Sequence, residues 1–194
     1  MDKIAHKIVH YLLKYGTISH SDLIVYQYGI HIGLELILCV LFCLLFSVPL
    51  GMFWESTLFF VIFFLLRSYV GGIHLPCYYQ CFILSVTIHF SILLLTKFCG
   101  INSTSITLVG IFIFNLLLAF LKPVENNNRE VNEEEKKQFD KIKRKHITYI
   151  QLLAIIMFIF NLKRFLILVF YTLLIIILSM ILGNVVNKKK NKEK

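Results

Sequence analysis

The chain has 194 residues, of which 58% are hydrophobic and 16% are charged, and its mean hydropathy is +0.77. Soluble domains are about half apolar and about a quarter charged, so this chain has too little polar surface to cover a water-soluble globule. Its net charge of +9 does not indicate nucleic-acid binding, because Lys and Arg are segregated beside apolar runs, as membrane topology requires.

The five cysteines are an odd number, and most lie within or beside apolar runs. They do not form the dense, even framework of a small secreted disulfide domain, so we expect reduced thiols. The first ~25 residues alternate polar and apolar side chains, and no cleavable signal peptide is predicted. We expect residues 1–194 to form one integral membrane domain.

The N-terminal segment, residues 1–29, is predicted to lie at the cytoplasmic membrane interface. In residues 3–15 the apolar side chains share one stripe and the basic side chains lie elsewhere. This spacing predicts an amphipathic helix of about three turns that lies in the plane of the membrane surface.

Six apolar runs follow, and the first is long enough to cross ~30 Å of hydrocarbon as a helix. The predicted fold is therefore an all-α polytopic membrane protein with about six transmembrane helices and an N-terminal amphipathic helix. The predicted spans are residues 30–50, 52–66, 82–98, 106–121, 147–162 and 165–182.

Two segments between or after these runs are strongly charged. Residues 122–146 are predicted to be an aqueous loop, whose section EEEKKQFDKIKRK has the charge blocks of a solvated helix. Residues 185–194 form a basic tail.

The distribution of Lys and Arg predicts the orientation of the chain. Six spans place both termini on one side, and 17 of the 20 Lys and Arg residues lie there. The other side holds Lys97, Lys163 and Arg164. The excess predicts cytoplasmic termini and also places the loop 67–81 on the cytoplasmic face.

The loop 67–81, RSYVGGIHLPCYYQC, gathers the residue types of a catalytic site between two apolar runs. Ionisable residues at membrane depth are costly, and they indicate function by default. A cysteine thiolate is a nucleophile, and an imidazole can take its proton and return one to a leaving amine. His74 is the candidate base, and Cys77 and Cys81 are the candidate nucleophiles.

The spacing within this loop needs a bend. On one continuous helix His74 and Cys81 would lie ~10 Å apart along the axis, too far for a hydrogen bond. Pro76 disfavours helix at the preceding residue and suits the first turn of a new helix. Gly71 and Gly72 allow the chain to fold back, so that His74 can approach the helix that carries the thiols.

Two other classes of function remain open from the residues alone. The spacing H-x2-C-x3-C of His74, Cys77 and Cys81 permits a metal or haem site of a sensor or electron carrier. A small membrane transporter is the other alternative. Against it, the last three predicted spans contain almost no ionisable residues to line a pathway.

The pattern R…GIHLP…C resembles the accessory gene regulator B (AgrB) family of membrane endopeptidases. In that family a Gly is followed two residues later by His and seven residues after that by Cys, as in Gly72, His74 and Cys81. The likeness extends to the YG…GLE entry of the first span, the KPVE exit of the fourth and the charged loop after it. Many members have Ala where this sequence has Leu75, a difference that affects local packing more than the chemistry.

The resemblance implies a role for each matched position. Cys81 would be the nucleophile and His74 the general base and acid. Arg67 and Gly72 would support the reaction, and Glu35, at a position that is Glu or Gln in the family, would orient His74 or the substrate amide. Cys77 falls outside the motif.

The resemblance also implies the partners and the location. The substrate would be a quorum-sensing peptide precursor with an amphipathic N-terminal helix and an acidic tail, processed in a bacterial cell membrane by a homodimer among membrane lipids. No cofactor, metal or nucleic acid is expected. The basic residues that would steer the acidic tail are Lys136, Lys137, Lys141, Lys143, Arg144 and Lys145.

Overall fold

The computed structural model describes residues 2–16, 23–70, 78–98, 103–121 and 133–190. Within these ranges the chain forms seven α-helices and no strand, which confirms the predicted all-helical class. The helices are α1 (Asp2–Lys14), α2 (Leu23–Ser47), α3 (Phe53–Val70), α4 (Tyr78–Phe98), α5 (Thr104–Phe120), α6 (Glu133–Ile159) and α7 (Lys163–Lys190).

Four stretches of helix in the described part of the chain are long and apolar enough to cross a membrane. They are Gly29–Ser47, Phe53–Val70, Tyr79–Phe98 and Lys163–Val185. Helix α5 is apolar but has only 17 residues, and α6 begins in charged sequence. The polytopic membrane class is confirmed, whereas the predicted number of six spans is not.

Two predicted loop boundaries are corrected by the helices. Helix α6 begins at Glu133 inside the predicted loop 122–146 and continues without a break into the apolar run, because no Gly or Pro interrupts it. Helix α3 passes Arg67 and ends at Val70. Its last turns stay helical because Leu66 and Val70 are fully buried in the core.

The pairing of α3 with α7 forms the centre of the molecule. Near one end Arg164 Nη2 lies 3.1 Å from Glu55 Oε1, and near the other Arg67 Nη1 donates a hydrogen bond of 2.7 Å to Ser179 Oγ. The contacts follow the same order along both helices, so α3 and α7 run parallel. The buried apolar residues between these contacts include Ile62, Leu66, Leu173 and Ile176.

Helix α7 also contacts α4, α5 and α6, and its closest approach to α5 depends on a glycine. A methyl group placed on Gly110 would lie 2.5 Å from Phe170 Cε2. The Phe170 ring is itself held between Phe114 and Tyr171. Small residues of this kind let membrane helices approach closely and gain van der Waals contact.

We predict that Gly110→Ala lowers the free energy of unfolding by about 1–3 kcal/mol, because the added methyl group overpacks the interface between α5 and α7. Denaturant titration of the protein in detergent micelles measures this change. Gly33→Ala is the matched control, since nothing lies within 4 Å of a methyl group there. An equal stability of both variants would show that the contact between Gly110 and Phe170 is not tight.

Candidate functional site

The thiol of Cys81 lies in the first turn of α4 and is exposed. The adjacent residue Phe82 contacts Phe42 of α2, with ring centroids 5.7 Å apart in an edge-on arrangement. This contact packs the first turn of α4 against α2. Cys81 is thereby held at the start of α4, where its exposed sulfur is accessible to a substrate.

Arg67 lies in the last turn of α3 and is half-buried. Its guanidinium lies within electrostatic range of the Cys81 side chain. The same group donates to Ser179 Oγ and lies 6.0 Å from the centroid of the Phe63 ring. A fixed guanidinium stabilises negative charge, either on a thiolate or on the oxyanion of a tetrahedral intermediate.

Three predicted residues of the loop, Gly72, His74 and Cys77, lie outside the described residues, as does Pro76. Their predicted roles therefore stay predictions. The helices on either side carry Arg67 in the last turn of α3 and Cys81 in the first turn of α4, 14 positions apart in the sequence.

Glu35 lies on α2 and is paired within its own helix. Its Oε1 atom is 2.7 Å from Nε2 of His31, one turn earlier. The prediction that Glu35 orients His74 or a substrate amide is untested by this contact. His31 was missed as a partner from the sequence, although a spacing of four residues on a helix is the signal that identifies such pairs.

The basic residues of α6 divide into an exposed set and one buried exception. The exposed members are Lys137, Lys141, Arg144 and Lys145, while the side chain of Lys136 is outside the described part. Lys143 is only 2% exposed, donates a hydrogen bond of 3.0 Å to the carbonyl oxygen of Leu121 and lies 2.9 Å from Asp140 Oδ1. Lys143 therefore differs from the other predicted steering residues, because its ammonium group is held at the end of α5; its steering role stays a prediction.

A second buried polar pair lies in the same two helices that carry Arg67 and Cys81. Ser56 Oγ and His89 Nε2 are 2.8 Å apart, and the His89 ring stacks on Phe60 with centroids 5.0 Å apart. His89 follows Cys81 by eight residues, or ~12 Å along a helix. Surrounded by aromatic rings, it joins α3 to α4 away from Cys81.

No group of three or more His, Cys, Asp or Glu side chains that could hold a metal ion occurs among the described residues. The metal-binding alternative needs His74 and Cys77, which lie outside them. Metal analysis of the purified protein is the direct measurement for that alternative.

Fold and site together define a polytopic helical membrane protein with a thiol and a guanidinium at the adjoining ends of two helices. The family model of accessory gene regulator B (AgrB) matches residues 5–186, nearly the whole chain. The chain therefore belongs to the accessory gene regulator B family, a family of peptide-precursor processing, which confirms the resemblance seen in the sequence. It matches no curated protein and no solved structure.

We predict that Lys143→Ala lowers the free energy of unfolding by about 1–3 kcal/mol, because it leaves the carbonyl oxygen of Leu121 without its charged donor. Lys141→Ala, an exposed neighbour on α6, is expected to change stability by less than about 0.5 kcal/mol. Thermal unfolding in detergent micelles compares the two. Equal melting temperatures would contradict the assigned role of Lys143.

Proposed function

We propose that this protein is a membrane-embedded cysteine endopeptidase that removes the C-terminal tail from an autoinducing peptide precursor in quorum sensing. The observation that carries the proposal is the exposed Cys81 thiol in the first turn of α4, close along the chain to the Arg67 guanidinium that Ser179 holds at the end of α3. Membership of the accessory gene regulator B family supports it independently.

The first half of the reaction cleaves the precursor. The Cys81 thiolate attacks the carbonyl carbon of the peptide bond between the signal region and the tail, after His74 has taken the thiol proton. The tetrahedral oxyanion collapses, the carbon–nitrogen bond breaks, and His74 returns the proton to the leaving amine. The products are a thioester between the signal peptide and Cys81 and a free tail.

The second half of the reaction closes a ring. An internal Cys or Ser of the bound peptide loses its proton and attacks the thioester carbon, the bond from that carbon to Cys81 Sγ breaks, and a thiolactone or lactone forms while the leaving Cys81 thiolate takes up a proton. Exchange of one thioester for another is nearly isoenergetic, so the energy of the acyl bond is retained for cyclisation. The acyl-enzyme must be shielded from water, which the bound peptide would do by covering the exposed Cys81 thiol at the membrane surface.

Arg67 supports both halves as the fixed positive charge beside the reacting carbonyl group. Because it is half-buried and held by Ser179, it needs little reorganisation as negative charge develops. Gly72 and Glu35 belong to the same proposed site, Gly72 by shaping the connection before His74 and Glu35 by orienting His74 or a substrate amide.

The acidic tail of the precursor would be drawn to the site by the basic half of α6. Tyr69, two residues after Arg67, contacts Phe139 and His146 of α6, with ring centroids 6.0 and 5.3 Å apart. These contacts place the exposed Lys and Arg residues of α6 beside the end of α3. We assign this face and both termini to the cytoplasm on the Lys and Arg distribution.

We predict that Cys81→Ala and His74→Ala each lower precursor cleavage by about a thousandfold or more, because each removes a group that forms or breaks bonds. Cys77→Ala keeps cleavage within about twofold of the wild type, as does the control Cys39→Ala in α2. Mass spectrometry of precursor incubated with proteoliposomes measures the products. If Cys77→Ala abolishes cleavage and Cys81→Ala does not, the nucleophile is assigned incorrectly.

We predict that replacing Lys137, Lys141 and Lys145 together with Gln weakens precursor capture at low salt. The difference from the wild type should vanish near 1 M salt, where the Debye length is about 3 Å. Lys163→Gln, an exposed lysine at the start of α7, is the control and should bind as the wild type does. A loss of binding that is equal at every salt concentration would mean direct contact instead of steering.

A further inference from the structure

Ser179 is a hydroxyl residue in an apolar part of α7 that no motif of the sequence marks. Its neighbours Ile176, Ile177 and Met180 are buried in the core that α7 shares with α3. Its Oγ atom accepts the 2.7 Å hydrogen bond from Nη1 of Arg67, across 112 positions of sequence. The apolar neighbours of Ser179 make the packing contacts between the helices. The hydroxyl group adds a hydrogen bond to the guanidinium.

An arginine near the end of a membrane helix needs such a partner to stay in place. Its long side chain otherwise extends toward the headgroups and water, which solvate the cation better than hydrocarbon does. Here the guanidinium is half-buried, is bound by Ser179 and lies near the Phe63 ring. In this position it lies within electrostatic range of the Cys81 side chain.

The backbone that carries Ser179 is itself fixed relative to α3. Arg164 and Glu55 join the same two helices near their opposite ends, and the buried apolar residues between the two contacts prevent α7 from sliding along α3. A hydrogen-bond acceptor on α7 is therefore a rigid reference point for a side chain on α3.

We propose that Ser179 is a positioning residue for the peptidase reaction, whose Oγ atom holds the Arg67 guanidinium beside the Cys81 sulfur. The inference rests on the proposed function in taking Cys81 as the nucleophile. Ser179 does not touch the reacting atoms, and it acts through Arg67.

The test compares how fast Cys81 is alkylated by iodoacetate and by iodoacetamide, with modification of the Cys81 peptide quantified by mass spectrometry in the full-length protein. Both reagents need the same thiolate and similar access, so the ratio of their rates reports the positive charge near the sulfur. The measurement requires no precursor and no cleavage.

We expect Ser179→Ala to lower the iodoacetate-to-iodoacetamide ratio by about threefold, and Arg67→Gln to lower it at least as much, because a cation near the thiolate attracts the anionic reagent. Ser179→Thr keeps a hydroxyl group and should retain most of the wild-type ratio. Ser68→Ala is the control, since the Ser68 hydroxyl bonds to the Phe64 carbonyl of its own helix.

A wild-type ratio in Ser179→Ala, together with a lowered ratio in Arg67→Gln, would overturn the proposal. An unchanged ratio in Arg67→Gln would overturn it too, because the guanidinium would then not act on Cys81. Should Ser179→Ala fold poorly, the ratio in Ser179→Cys, which has a weaker acceptor of similar size, must still lie below that of Ser179→Thr.

Cleavage kinetics separate this proposal from the proposed function. With an active wild type, Ser179→Ala should lower kcat by about three- to tenfold, with KM within about twofold, because the guanidinium acts on developing charge and not on substrate binding. If the wild type cleaves no precursor while Ser179→Ala still lowers the alkylation ratio, the peptidase proposal is refuted and the positioning of Arg67 by Ser179 stands.

Discussion

The parallel pairing of α3 with α7 depends on two arginines, one from each helix, that bind a partner on the other helix. Arg164 of α7 reaches back to Glu55 of α3, and Arg67 of α3 reaches to Ser179 of α7. In lipid there is little hydrophobic drive for one apolar helix to prefer another, so close packing and polar contacts set the pairing and its register. The place of Arg67, and with it the site, follows from that register.

The site combines this rigid pair of helices with groups brought from two further elements. Helix α4 presents the Cys81 thiol in its first turn, and α6 lies beside Tyr69 at the end of α3. The proposed peptidase would use a cation near the sulfur and a basic surface for an acidic substrate. Arg67 and the contacts of Tyr69 with α6 both lie at the same end of α3.

Two other buried ionisable residues of the described part have partners that join helices. His89 bonds to Ser56 among aromatic rings, and Lys143 bonds to the end of α5. Each satisfies a polar group that would otherwise be costly to bury. Their partners, and not their residue types, distinguish them from Arg67.

The sequence by itself determined the membrane class, the helical fold and the family, because hydropathy and the spacing of Gly72, His74 and Cys81 are local properties that no tertiary contact alters. The tertiary structure decided what local patterns do not contain. It joined the charged and apolar halves of α6 into one helix, it buried Lys143, and it bonded Arg67 to Ser179. The role of His74 stays a prediction from sequence. The physical reason is that hydropathy is a property of each residue and its sequence neighbours. A hydrogen bond between residues far apart in the sequence exists only after their helices have packed.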